Sequence, residues 1–149
     1  MYKTIEIEGK NVDFKCTAGT QFNYKRLFGK SLMEEFVKRT KLLKEMEKAQ
    51  KKAEELKEKN DTDAYIDFLA DDTSAQDLIA FTTELIPQLA FVMYLEANYE
   101  TREVYRNLNQ EAFYEWLCNY DANTLLAHAG DFIGLWSGSN KTYSKLKNV

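Results

Sequence analysis

The stretch YKRLFGKS over 24–31 ends in Gly29-Lys30-Ser31, the closing triplet of a phosphate-binding loop, whose backbone amides wrap phosphates while the lysine reaches their oxygens. That loop needs a glycine five residues ahead of the Gly-Lys pair, where a Cβ would block the wrap, and Tyr24 stands there. It also needs a strand leading in, whereas Phe22, Leu27 and Phe28 carry helical spacing. The triplet therefore reads as punctuation. One helix stops at Gly29, whose missing Cβ suits a left-handed cap, and another starts at Ser31 with the capping box Ser31-Leu32-Met33-Glu34.

Other chemistry fares no better. His128 is the single histidine, with Asp131 one helical turn later and Cys118 upstream. A thiolate, imidazole and carboxylate could form a nucleophilic site, but no strained turn or oxyanion donor accompanies them, and a rim histidine accounts for the pattern. Asp61, Asp63, Asp67, Asp71, Asp72 and Asp77 suggest calcium until the spacing is checked: Tyr65 occupies the third ligand position and no glycine follows. Helix capping and solubility explain these acids. With no His or Cys cluster for zinc, the chain is expected to be no enzyme and to need no catalytic residue, metal or cofactor.

The elements can be read from periodicity. Residues 2–16 alternate as a hairpin, and a type II′ turn at Gly9-Lys10 would set Ile7 opposite Val12, Ile5 opposite Phe14 and Lys3 opposite Cys16. Thr20 is the expected N-cap of a short helix ending at Gly29. Leu32, Met33, Phe36 and Val37 give the next helix an apolar side. From 41 to 59 lysine and glutamate dominate around a thin seam of Leu42, Met46, Ala49, Ala53 and Leu56, a solvated helix that could project. Asn60-Asp61-Thr62-Asp63 breaks it, Tyr65, Phe68 and Leu69 mark a short helix, and Thr73-Ser74 cap another. Leu85 to Leu95 is apolar on every side, as befits the central helix; Pro87 kinks it or restarts it. Phe113, Trp116, Leu117 and Tyr120, then Leu125, Leu126, Ala129, Phe132, Ile133 and Trp136, mark two closing amphipathic helices. The expectation is a mainly α, α+β fold: an N-terminal hairpin and about five to six helices in one domain over 1–136, then a flexible tail over 137–149.

Composition bounds the rest. With 149 residues, 44% hydrophobic content, nine Phe, nine Tyr and a net charge of −4, the chain can bury a core but has no basic face for nucleic acid or a membrane surface. Cys16 and Cys118 are far apart and fit a reducing compartment, and MYKTIEIEGK is no secretory signal. The window Leu78–Leu95 is long enough for a bilayer, yet Glu84, Gln88 and Pro87 favour a buried helix. Phe22, Tyr24 and Phe28 around Lys25 and Arg26 could stack bases; in a helical domain they read as core. Tyr94, Tyr99, Tyr105 and Tyr114 fall beside the apolar stripes, where protein interfaces favour them.

In order along the chain, the hairpin, Phe28-Gly29-Lys30-Ser31-Leu32, Leu89-Ala90-Phe91-Val92-Met93, Phe113 with Trp116-Leu117, and Leu135-Trp136 resemble the tail assembly chaperones of long-tailed, siphovirus-type phages of Gram-positive bacteria. The charged 41–59 helix is longer than that family leads one to expect, and Tyr94-Leu95-Glu96 replaces a more polar continuation. The resemblance implies a non-enzymatic protein of the bacterial host cytoplasm that binds the tape measure protein, keeps it soluble and helps recruit tail tube subunits. It also implies a short form beside a frameshifted long form, and the uncovered hairpin edge invites homo-oligomer pairing. Phe22, Tyr24, Leu27, Phe28, Phe113 and Trp116 are expected mostly in the core. The partner-binding candidates are Tyr24, Phe28, Tyr94, Tyr114 and Trp116, with Tyr24 and Tyr114 the foremost contacts. The alternative is a small helical adaptor or regulator that binds a bacterial host protein.

Overall fold

The computed structural model describes residues 1–99 and 109–147, with side chains as far as 138. The architecture is α+β and mainly α, an N-terminal antiparallel hairpin followed by helices. Where the sequence predicts one domain over 1–136, the chain gathers into two compact units: Met1–Leu32 with Glu84–Val149, and Met33–Thr83.

The first unit holds β1 (Tyr2–Ile7), β2 (Lys10–Lys15) and α1 (Thr20–Phe28). The strand register differs from expectation: Ile5 pairs with Val12 and Lys3 with Phe14, because the turn is Glu8-Gly9 rather than Gly9-Lys10. Both turn residues have positive φ, 52° and 80°, as a type I′ turn requires. That conformation costs a glutamate free energy. The cost is offset where the Glu8 carboxylate accepts the Asp121 amide at 2.8 Å and the Thr124 hydroxyl at 2.9 Å. A slip of two residues leaves every side chain on its predicted face. Ile5, Ile7, Phe14 and Cys16 are accordingly buried, while Thr4 donates to Asp13 on the outer side.

Helix α1 ends as predicted, at Gly29 in the left-handed region with φ 72°, its amide donating to the Lys25 carbonyl at 2.8 Å. Its start is one residue earlier than predicted. Gly19 is the N-cap, and Thr20 lies inside the first turn, fully buried. Thr20, Tyr24 and Leu27, at i, i+4 and i+7, form the inward stripe; Phe22 falls opposite it and is 68% exposed, a correction to its core assignment.

Helix α4 (Ser74–Asn98) runs unbroken through Pro87. Its carboxyl-terminal part is the core of the first unit, where Leu85, Ile86, Leu89, Ala90, Phe91, Val92, Met93 and Leu95 are all buried. Around it stand α5 (Gln110–Leu117), α6 (Thr124–Ala127) and α7 (Ala129–Lys147). The last two replace the single closing helix predicted, with His128 at the break. Helix α7 also continues to Lys147, through the segment where periodicity is lost in the sequence.

The second unit consists of α2 (Leu32–Glu58) beyond its first residue, α3 (Thr62–Asp71) and the amino-terminal turns of α4. The predicted break at 60–63 is present: Asn60 has φ 54°, and the Asp61 carboxylate caps α3 by accepting the Ala64 amide. Thr73 stands at the start of α4 as predicted, its carbonyl accepting the Asp77 amide at 2.8 Å, while Asp72 before it accepts both the amide and hydroxyl of Ser74. Between 33 and 83 the buried residues are Glu35 and Ser74. Every apolar side chain of this unit keeps some exposure.

Candidate partner-binding site

Spacing along α1, α4 and α5 directs aromatic rings into one continuous row in the first unit. Tyr24 lies 5.2 Å from Phe28 between ring centres, Phe28 5.1 Å from Phe113, and Phe113 5.4 Å from Phe91. Trp116 continues it, 5.4 Å from both Phe91 and Tyr94 and 5.1 Å from Tyr120. Tilted and edge-on pairs at these distances add to the burial of the rings themselves.

Where this row reaches the surface it borders a cleft of about 230 Å³, lined by Phe28, Lys30, Glu84, Gln88, Gln110, Phe113 and Tyr114. The Lys30 ammonium and Glu84 carboxylate close one rim at 3.0 Å. Tyr114 stands 57% exposed, its ring 5.5 Å from that of Phe113. Asn109 starts α5 by accepting the Ala112 amide, which sets the helical phase that turns Phe113 and Trp116 inward and Tyr114 outward.

The predicted contact residues divide on this geometry. Phe28 and Tyr114 line the cleft together. Tyr24 does not belong on the surface: it is fully buried, its hydroxyl donating to Gln88 Oε1 at 2.8 Å, so the proposed contact is corrected to an internal brace between α1 and α4. Trp116 is also enclosed, and its buried Nε1 meets no acceptor among the described residues. Tyr94 is half-buried beside Tyr99; burial first, then the Tyr99 hydroxyl, pushes its phenol above the ordinary value. Tyr105 lies outside the described residues. Lys30, Glu84, Gln88 and Gln110, which complete the cleft, were not singled out from the sequence as contacts. The signal for Lys30 was the flank of the Gly29 cap, and for Glu84 and Gln88 the polar interruptions of α4; Gln110, the first residue of α5, carried none.

Two polar groupings belong to the frame. Glu96 on α4 accepts from Thr20 at 2.5 Å, Asn23 at 3.1 Å and Thr17 at 3.3 Å, tying the start of α1 to the core helix. Burial outweighs these donors and raises its carboxyl above the usual range. His128 Nδ1 is 3.2 Å from Asp131, which Lys3 also contacts, and the Lys3 hydrogen bond lowers the Asp131 carboxyl. Cys118 is exposed at the end of α5. Among the described residues no group of three His, Cys, Asp or Glu side chains is placed to hold a metal ion. No protein-family model, curated protein or solved structure matches the chain.

Proposed function

We propose that this protein is a phage tail assembly chaperone, a binding protein without turnover. In the cytoplasm of the infected cell it holds the tape measure protein soluble and helps bring tail tube subunits to it. The sequence resemblance suggests the role, and the cleft beside Tyr114 carries the physical argument. At about 230 Å³ it is smaller than the roughly 300 Å³ at which small-molecule pockets begin. Its lining is mixed and largely polar, so it suits an amphipathic stretch of a protein helix that sets one apolar side chain against Phe28, Phe113 and Tyr114 and offers polar neighbours to Lys30, Glu84, Gln88 and Gln110. One such anchor gives modest affinity. Repeated along a long helical client, weak anchors retain it through multivalency while each remains reversible, which delivery to a growing tube demands.

The test is co-expression with a tape measure protein encoded in the same genome. Tyr114→Glu places a charge where an apolar anchor would seat, at an exposed position the fold does not need. The soluble, co-purifying fraction of client should fall several-fold while the circular dichroism melt is unchanged. Undiminished client solubility with the variant would overturn the reading.

A further inference from the structure

The second unit carries an organised surface of another kind. Between Asn60 and Thr83 there are six aspartates and no lysine or arginine. Asp61 caps α3, Asp72 accepts from Ser74, and Asp77 meets the Thr73 hydroxyl. Asp63, Asp67 and Asp71 follow one another at i, i+4 and i+8 on α3, a carboxylate row about 12 Å long. All three are exposed, and none makes an ion pair within the described residues. Asp63, in the first turn, suits the helix dipole, but α3 makes no such use of Asp67 or Asp71. Like charges four apart weaken a helix, and Asp71 in the last turn also opposes the helix dipole.

Beside the row runs an apolar one. Ile66 and Leu69, with Ala70, occupy the adjacent strip of α3, and Ile66 and Leu69 are 56% and 49% exposed. No residue of α3 is buried. Its other side is occupied: Lys52 of α2 sits over the Phe68 ring at 5.3 Å, within the same unit. Set against itself in a second copy, the exposed face would oppose aspartate to aspartate if antiparallel and aspartate to Ile66 and Leu69 if parallel, leaving the carboxylates without a cation either way. Physiological salt screens charges over about 8 Å, so the row acts mainly on what touches it. Charge and shape together call for apolar side chains flanked by cations.

We infer that the exposed face of α3 is a docking surface for an amphipathic helix whose apolar stripe is bordered by lysine or arginine. This surface lies on the other unit from the Tyr114 cleft and is argued from charge and exposure alone, so it stands or falls apart from the chaperone role.

The test uses the full chain and two labelled synthetic peptides, helices of leucine and alanine with lysine on the polar face, or with glutamate in its place. Fluorescence anisotropy at low and physiological salt should show the lysine peptide binding at least about tenfold tighter, the equivalent of about 1.4 kcal/mol. Asp67→Lys with Asp71→Lys should reverse that preference. Ile66→Ser with Leu69→Ser should weaken the lysine peptide by about tenfold while leaving the salt dependence in place. All four positions are exposed, and dichroism checks that each variant is folded. Equal binding of the two peptides, or variants without effect, would overturn the inference. So would sedimentation showing that Ile66→Ser with Leu69→Ser splits a dimer, since a second copy would then be the occupant. Tyr114→Glu should leave peptide binding intact, which separates this result from the client test.

Discussion

Glu96 shows what a single side chain contributes when its partners come from far along the chain. Its partly buried carboxyl is held by three donors, yet burial still raises its pKa, so the folded protein takes up a proton there more readily than the unfolded chain. A raised carboxyl contributes stability that is fully present below the unfolded carboxylate range and is lost as pH rises through the folded value. Glu8, Asp13, Asp72 and Asp131 are lowered and act in the opposite sense, losing their contribution as pH falls. Glu96→Gln isolates the one from the others. Thermal melts should show the variant as stable as the parent or more so at about pH 7, with that advantage shrinking toward about pH 5. A pH-independent difference would show that the carboxylate is not titrating as the fold requires. None of this was legible in the sequence, because Thr17, Thr20 and Asn23 are common surface residues until Glu96 is brought to them. The exposure of Phe22 and the full burial of Tyr24 were legible in principle: the spacing of Thr20, Tyr24 and Leu27 was present, but a polar residue heads the stripe.

Elements were easier to read than their edges. The hairpin, the Gly29 stop, the break at 60–63 and the enclosed stretch from Leu85 to Leu95 follow from periodicity and turn chemistry, and each is present. The turn register was not decidable locally, since Glu8-Gly9 and Gly9-Lys10 both make two-residue loops and the deciding hydrogen bonds come from Asp121 and Thr124. Pro87 within α4 was equally open; packing on every side of the helix supports it through the missing hydrogen bond. Gly29 gives an element-scale prediction. A Cβ there would meet nothing within 4 Å, so Gly29→Ala should cost only the left-handed conformation, about 1–2 kcal/mol by chemical denaturation, with the denaturant slope unchanged. A loss much larger than this would mean that α1 and the start of α2 depend on more than the cap.

At the scale of the molecule, the two units differ in how they are held. One encloses the apolar side chains of α4 with those of the hairpin, α1, α5 and α7; the other encloses none. Amide hydrogen exchange should reflect this, with α3 and the amino-terminal turns of α4 exchanging at least about tenfold faster than residues 85–95 of the same helix. Equal protection along α4 would contradict it. The division was hidden from sequence because α2 and α4 each run on as one helix from one unit into the other, with no break at the boundary. Likewise the cleft beside Tyr114 draws Phe28 and Tyr114 from opposite ends of the chain, and only their aromatic character was visible beforehand.

The bond from Glu8 to Asp121 and Thr124 has a consequence in time. A nascent chain leaving the ribosome presents both ways of closing its first turn long before residues 121–124 have been made, and two strands alone are too weak to choose. The first structure in the sequence is thus among the last to be committed, and synthesis halted before Asp121 should yield a hairpin that alternates between two alignments.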